Sequence, residues 1–192
     1  VDKLIKRIFG VPGPCASPIA FVMAGNGRKE IFLTYMTGAG ARQLTRNNSI
    51  STEPSWGNTQ NSLFYTYYEP SRVSVMEMNL AAGVQRRIAN FKGLNAGAAL
   101  APDNKHIALC LSRDNTVDLY VMTKTGNSLQ RLTRDNAVES SPTWAPDGRQ
   151  ICYVSDAAGA PQLYLTLLGR SSKNQRLLRE YRECVSPDWS PV

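Results

Sequence analysis

The sequence is poor in the residues on which most enzymes rely. It has one histidine, His106, in 192 residues, and it contains neither a GxSxG segment nor a glycine-rich phosphate loop. A serine hydrolase needs a histidine within reach of its nucleophile, and nucleotide enzymes need such a loop. Because His106 follows Asp103 at a predicted turn, we interpret it as exposed and non-catalytic. The sequence therefore predicts a protein that is not an enzyme and uses no cofactor.

Cysteine is also scarce, and its spacing does not suggest a metal site. Cys15, Cys110, Cys152 and Cys184 form no CxxC pair, so no zinc or other metal site is predicted. Cys110 and Cys152 lie inside apolar runs and are expected to be small buried side chains. Cys15 and Cys184 lie near the ends of predicted elements and could pair in an oxidising compartment.

Long apolar runs and a concentrated basic stripe are missing as well. No stretch of about 18 apolar residues occurs, so no membrane-spanning helix is predicted. The formal net charge is +7, but the basic residues are dispersed in small groups such as Arg86-Arg87. They lack the interleaved aromatic residues of a base-stacking surface. We therefore predict a solvated basic surface, no membrane insertion and no nucleic-acid partner.

What the sequence does contain is an internal repeat. Four segments align, and their third positions are 44, 44 and 45 residues apart: Pro54-Ser55-Trp56, Ala98-Ala99-Leu100, Pro142-Thr143-Trp144 and Pro187-Asp188-Trp189. After each of the first three segments, apolar runs follow at fixed offsets. Self-similarity at this period is typical of repeat architectures, and four strands per repeat are typical of propeller blades.

Turn residues separate these apolar runs. Ala101-Pro102-Asp103-Asn104 and Ala145-Pro146-Asp147-Gly148 place Pro at the second turn position and Asn or Gly at the fourth. Glycines mark a later reversal in each repeat, at Gly38, Gly83, Gly126 and Gly169. Each repeat is thus predicted to form four short strands, a to d. The large aromatic side chains are expected to pack between neighbouring blades: Trp56, Trp144, Trp189, Tyr120 and Tyr164.

The fold class predicted from this pattern is all-β, as a β-propeller of four-stranded blades. Residues 1–17 are predicted to be a short helix and a linker, and residues 18–192 the propeller. The blade repeats are placed at about 18–52, 53–96, 97–140 and 141–185, with a closing strand at 186–192. A strand a at one end and strands b to d at the other are complementary pieces for ring closure.

Two stretches of the sequence resemble the propeller of the TolB family, the periplasmic component of the Tol-Pal system. They are "SPTWAPDGRQICYVSDAAGAPQLYL" and "NKHIALCLSRDNTVDLYVMTKTGNSLQRLTRDN". Their shared pattern, PxWxPDGxxIxYxSxxxGxxxLY, also occurs in WD-like propellers and in the propellers of prolyl-type peptidases. The resemblance implies a periplasmic, non-catalytic protein. The typical family member has six blades, so the four repeats indicate either a piece of such a protein or a compact four-bladed relative.

The resemblance also implies a partner and a binding rim. TolB-like propellers bind the peptidoglycan-associated lipoprotein Pal, through loops leading from strand d into strand a, and they contact other Tol proteins. The matching positions here are Thr52, Glu53, Asn95, Gly97, Glu139, Ser140 and Glu183. The alternative for Thr52, Glu139 and Ser140 is that they satisfy backbone groups at the strand entry.

Two other functions are considered for such a propeller. The first is the accessory propeller of a prolyl-type serine peptidase, whose GxSxG motif would lie in a separate α/β domain. The second is a sugar- or lactone-binding propeller, which the lack of histidine and carboxylate clusters disfavours.

Overall fold

A computed structural model describes residues 2–10, 13–113, 115–169 and 174–190. The chain divides into two compact units, residues 1–54 and 55–192. Strands predominate in both units, and one α-helix, α1 (Asp2–Phe9), lies in the part of the chain that the structure describes. The predicted mostly-β fold is therefore confirmed, and α1 lies inside the predicted helical segment 1–17. No described helix has the length and apolar character needed to cross a membrane.

The first unit contains a twisted hairpin. Strands β1 (Pro18–Gly25) and β2 (Arg28–Tyr35) are antiparallel, with Phe21 opposite Phe32. Asn26 and Gly27 connect them at φ 51° and 73°, which is the geometry of a type I′ turn. The short strand β3 (Arg42–Gln43) pairs with β2, and β4 (Ile50–Trp56) begins beside Lys29 in parallel.

The second unit consists of successive antiparallel sheets made from consecutive strands. The strands of these sheets are β5 (Ser62–Glu69), β6 (Arg72–Asn79), β7 (Val84–Ala89), β8 (Asn95–Leu100), β9 (His106–Arg113), β10 (Thr116–Thr123), β11 (Gln130–Arg131), β12 (Glu139–Trp144), β13 (Gln150–Ser155), β14 (Gln162–Leu167) and β15 (Gln175–Arg176). β5–β7 pair in chain order, as do β8–β11 and β12–β15. Within the described residues no sheet closes on itself, so the number of blades stays a prediction.

Two hydrophobic cores lie between these sheets. Phe64 and Val75 of β5–β7 share one core with Leu109 and Tyr120 of β8–β11. Because both faces of an interior sheet are covered, its strands are apolar on both sides. Each fully buried side chain of this size contributes roughly 1.5–3 kcal/mol to stability.

The second core lies between β8–β11 and β12–β15. Leu119 and Val121 of one sheet lie in the same core as Trp144 and Tyr153 of the other, and Tyr164 packs at its edge. The predicted inter-sheet positions of Trp144, Tyr120 and Tyr164 are therefore confirmed. The other two tryptophans, Trp56 and Trp189, are half-buried.

The predicted turn chemistry is also present. Asn104 and Gly148 have φ values of 60° and 69°, so the two turns accept a left-handed residue at the same position of the repeat. The four later glycines also adopt positive φ, as expected for reversals. Asp103 and Asp147 accept hydrogen bonds from backbone N–H groups of their own turns, which confirms them as turn residues.

An irregularity in the first strand of two repeats was not predicted. The pairing register shifts between Ala96 and Ala99 in β8, and between Ser140 and Thr143 in β12. Within these bulges, Gly97 and Ser141 have φ values of 64° and 49°. Glu53 and Ser186, at the corresponding spacing, both have φ 54°. A bulge of this kind bends the strand where it enters the sheet.

Cys110 and Cys152 are buried as predicted, and burial raises the pKa of Cys152 to about 11. Cys15 and Cys184 are half-buried free thiols, one in each unit. Residues 186–190, the described part of the predicted closing strand, form no strand. A strand requires a hydrogen-bonded neighbour, and this segment pairs with no described strand.

Candidate functional site

The predicted rim residues fall in both units of the chain. Thr52 and Glu53 lie in β4, in the first unit; Thr52 is half-buried and Glu53 is exposed. The other five belong to the second unit, where they mark the entries of β8 and β12 and the segment after β15. The binding role of all seven stays a prediction, and their burial separates them into two groups.

Asn95 is fully buried and holds its own loop together. Its amide nitrogen donates to the backbone oxygens of Val73, Phe91 and Gly93 at 2.9, 2.7 and 3.1 Å, and its amide oxygen accepts from the Phe91 N–H at 2.8 Å. The side chain thus fixes the loop before β8 onto β6. It has no exposed surface to offer a partner.

Glu139, the residue 44 positions later, is likewise internal. It is 1% exposed and accepts hydrogen bonds from Ser155 Oγ at 2.9 Å and Thr133 Oγ1 at 3.1 Å. Burial raises the pKa of Glu139 to about 7, and the charges of Asp135 and Asp118 act in the same direction. The side chain therefore binds a proton far more readily than an exposed glutamate does.

Gly97, Ser140 and Glu183 form the accessible group of the second unit. Glu183 is exposed, and Gly97 and Ser140 are half-buried. A Cβ atom on Gly97 would lie 3.2 Å from Cδ of Pro142. The bulge of β8 thus lies directly against the bulge of β12, and the two strand entries form one continuous edge.

Sequence reasoning missed a cleft beside the entry of β8. It has a volume of about 770 Å³ and lies between the β5–β6 turn and the loop at residues 90–93. Exposed Arg72 and Lys92 line it. Arg87 binds both carboxylate oxygens of Glu69 at 3.0 Å. The sequence signal for this cleft is the segment "NFKGLN", residues 90–95, which ends at the predicted rim residue Asn95.

The negatively charged side chain at this cleft, Glu69, is half-buried, whereas the positively charged Arg72 and Lys92 are exposed. Burial opposes ionisation of Glu69, but hydrogen bonds from Ser74 and Arg87 lower the pKa of its carboxyl. The guanidinium of Arg113 lies 5.7 Å from the ring centre of Phe91 on the same loop. The exposed charges at the entry of β8 are consequently positive.

Among the described residues, no three His, Cys, Asp or Glu side chains are grouped as metal ligands would be. His106 Nδ1 lies 2.6 Å from Asp103 Oδ2, so the histidine belongs to the turn that Asp103 organises.

Comparisons with known proteins agree with this fold. The family model of the TolB beta propeller domain matches residues 6–192. The Tol-Pal system protein TolB of Bordetella pertussis is 31% identical over 166 residues, covering 86% of this chain and 38% of that protein. The chain thus spans well under half the length of this relative.

Solved structures show the same architecture. The crystal structure of TolB from Acinetobacter baumannii has a TM-score of 0.87 at 22% identity, covering 99% of this chain and 48% of that chain. A crystal structure of puromycin hydrolase has a TM-score of 0.63 at 16% identity, covering 88% of this chain and 30% of that one. These likenesses concern the fold, whereas the family model covers nearly the whole sequence. The chain therefore belongs to the TolB β-propeller domain family.

Proposed function

We propose that this chain is a non-catalytic docking propeller of the Tol-Pal system, and that its partner is a peptidoglycan-associated lipoprotein. The observation that carries the proposal is the edge formed where the bulged entries of β8 and β12 meet. Several rigid loops at one edge provide a surface that a protruding segment of a partner can contact. The relative from Bordetella pertussis is named for the same system.

The seven predicted rim residues have different tasks in this proposal. Glu53, Ser140 and Glu183 are the positions that offer polar side chains to the partner, with Thr52 beside Glu53. Gly97 allows close approach of the backbone. Asn95 and Glu139 act from inside, because their buried side chains fix the loops that carry the contact residues.

The proposal extends to the compartment and to further partners. We place the protein in the periplasm, where Tol-Pal components work, and we expect it to contact other Tol proteins. Neither metal nor cofactor is required.

The accessory propeller of a serine peptidase is the second candidate. The likeness to puromycin hydrolase favours it, but that likeness is at 16% identity and concerns the fold alone. The gene that encodes the chain separates the two functions. A GxSxG-containing α/β domain in the same reading frame would support the peptidase.

A binding experiment tests the docking function. Purified Pal is immobilised, and binding of the chain is measured by surface plasmon resonance. We expect Glu53→Lys combined with Thr52→Ile, and separately Ser140→Arg, to weaken binding at least tenfold, since contact residues at an interface centre contribute about 1.4 kcal/mol or more. Lys105→Glu, in the turn at the opposite end of β8, is the control. Rim variants that bind Pal as the control does would contradict the proposed rim.

A further inference from the structure

The cleft beside the entry of β8 has two walls, and buried hydrogen bonds hold both of them in place. The β5–β6 turn with Val73 forms the first wall, and the loop at residues 90–93 forms the second. The buried amide nitrogen of Asn95 donates to the Val73 oxygen of the first wall and to the Phe91 and Gly93 oxygens of the second. The shape of the cleft is therefore fixed in the absence of a ligand.

The second wall is also attached to the neighbouring sheet. The backbone N–H of Ser112, in β9, donates to the Leu94 oxygen at 3.0 Å. Gly93 has φ 91°, and a Cβ atom there would lie 2.4 Å from the Ser112 oxygen, so a larger residue does not fit without a shift of the backbone. A cleft whose walls are already ordered loses little conformational entropy when a ligand binds.

The two walls carry positive charges that are not paired with a described carboxylate. Arg72 and Lys92 are both exposed, and one lies on each wall. Glu69 is the one carboxylate among the described residues that line the cleft. Both of its oxygens bind Arg87, and Ser74 Oγ donates to Oε1 at 2.7 Å. The guanidinium of Arg72 and the ammonium of Lys92 make no direct ion pair within the described residues.

The next repeat has acidic residues at two of the matching positions. Asp135 lies 44 positions after Phe91, and Glu139 lies 44 positions after Asn95. At the cleft, an aromatic ring and an amide thus stand in place of two carboxylates. Arg113 brings a further positive charge to the second wall, where its guanidinium lies 5.7 Å from the ring centre of Phe91. The positive charge is therefore a property of this repeat and does not follow from the strand architecture.

We propose that this cleft binds an acidic segment of a partner protein, with carboxylate groups of the segment bound by Arg72 and Lys92. The planar guanidinium of Arg72 presents paired N–H donors that match a carboxylate, and the ammonium of Lys92 supplies a point charge on the facing wall. None of the residues that line the cleft is among the seven predicted rim positions. The site is therefore additional to the proposed contact with Pal.

The size and the lining of the cleft favour a peptide over a small anion. Its volume is about 770 Å³, and pockets of roughly 300–1,000 Å³ hold molecules larger than a single amino acid. Val73 and Phe91 are half-buried and add apolar surface between the charges. A peptide segment covers such surface with its side chains, whereas an inorganic anion leaves it exposed to water.

Fluorescence anisotropy tests the proposal with an end-capped decapeptide of alternating aspartate and serine that carries a neutral dye. The unmodified chain is expected to bind this peptide saturably, and less tightly as salt is added, because the contact is between exposed charges. The same peptide with asparagine in place of aspartate should not bind. Arg72→Ala combined with Lys92→Ala is expected to weaken binding about tenfold, since each exposed ion pair changes the affinity about threefold.

Charge-matched variants distinguish this cleft from the general basic charge of the chain. Lys105→Ala combined with Arg149→Ala removes the same charge from exposed positions in the turns after β8 and β12. This control should bind the aspartate peptide as the unmodified chain does. Arg72→Lys combined with Lys92→Arg keeps both charges in the cleft and should retain most of the binding.

Four results would overturn the proposal. The aspartate peptide does not bind, the asparagine peptide binds equally well, or the cleft variant and the control lose the same share of affinity. The fourth is a cleft variant that loses affinity for phosphatidylglycerol vesicles and not for the peptide, because the cleft would then bind a membrane surface. Rim variants that fail to change Pal binding leave these results unaffected, so the two proposals can fail separately.

Discussion

The indole nitrogen of Trp144 donates a hydrogen bond to the backbone oxygen of Ala99 at 3.0 Å. The two residues lie in the first strands of neighbouring sheets, and both are buried. The bond therefore links β12 to β8 at the edge of their shared core. Trp144 therefore does more than fill the core. It pairs the backbone oxygen of Ala99, and a buried carbonyl oxygen without a hydrogen-bond donor lowers stability.

Trp144→Phe is expected to lower the free energy of unfolding by about 2–4 kcal/mol. The change leaves the Ala99 oxygen unpaired, at about 1–3 kcal/mol, and removes part of a buried ring. Urea denaturation measures the effect. Trp189→Phe is the matched control, because the Trp189 nitrogen has no partner in the described part of the chain. Equal losses in the two variants would show that the hydrogen bond contributes nothing.

Stability is expected to fall as pH rises from about 4.5 to about 7. The pKa of Glu139 is about 7 in the folded chain and about 4.3 in an unfolded one. Between these two pH values the folded state binds more protons than the unfolded state, so raising the pH favours unfolding. The shift corresponds to a loss on the order of 3 kcal/mol. Urea denaturation at a series of pH values measures it.

Glu139→Gln separates this carboxylate from the other titrating groups. An uncharged amide should remove the decline between pH 4.5 and 7 and make the variant more stable than the parent at pH 8. Carboxyls with lowered pKa, such as those of Glu69 and Asp103, act at lower pH, since their contribution is lost as the pH falls. If the variant kept the slope of the parent, Glu139 would not be its source.

Asn95→Ala is expected to destabilise the chain by about 2–4 kcal/mol. It removes four hydrogen bonds between a buried side chain and the backbone, and it leaves several backbone groups unpaired. Hydrogen exchange should show faster exchange in residues 90–95. Lys92→Ala, an exposed change in the same loop, is the control. A stable Asn95→Ala chain with normal exchange would contradict the bracing role.

The two equivalent bulge positions, Gly97 and Ser141, are expected to respond differently to substitution. Gly97→Ala is expected to cost about 1–2 kcal/mol, because the residue has φ 64° and its new Cβ would press on Pro142. Ser141→Gly should change stability little, since relief of the left-handed strain at φ 49° offsets the extra freedom of glycine in the unfolded chain. Thermal unfolding of both variants measures the difference. Equal effects would contradict the assigned strain.

The strands and turns were predictable because they depend on local residue order. The offset of each apolar run from its aligned repeat segment located β9, β10, β13 and β14, and the Pro-Asp-Asn and Pro-Asp-Gly segments located the turns. The family resemblance located the loops. These features repeat, so each copy supports the interpretation of the others.

The burial of Asn95 and Glu139 was not predictable in the same way. Both are polar residues at the first position of a strand, directly after a loop, where exposure is the usual expectation. Whether such a residue points outward or fixes its loop depends on groups far away in sequence or in other segments: the Val73 oxygen of β6 for Asn95, and the hydroxyls of Thr133 and Ser155 for Glu139. The bulges escaped notice for a similar reason, because Glu53, Gly97, Ser141 and Ser186 share a backbone conformation and not a residue type.

The pairing of strands in chain order has a consequence for biosynthesis. Every strand from β5 to β15 finds its hydrogen-bonded neighbours within its own sheet and close by in sequence. The sheet β8–β11 can consequently assemble on β5–β7 while β12 is still inside the ribosome, and the tertiary structure can grow from the amino end as translation proceeds. Each completed sheet then provides the apolar face on which the next sheet packs.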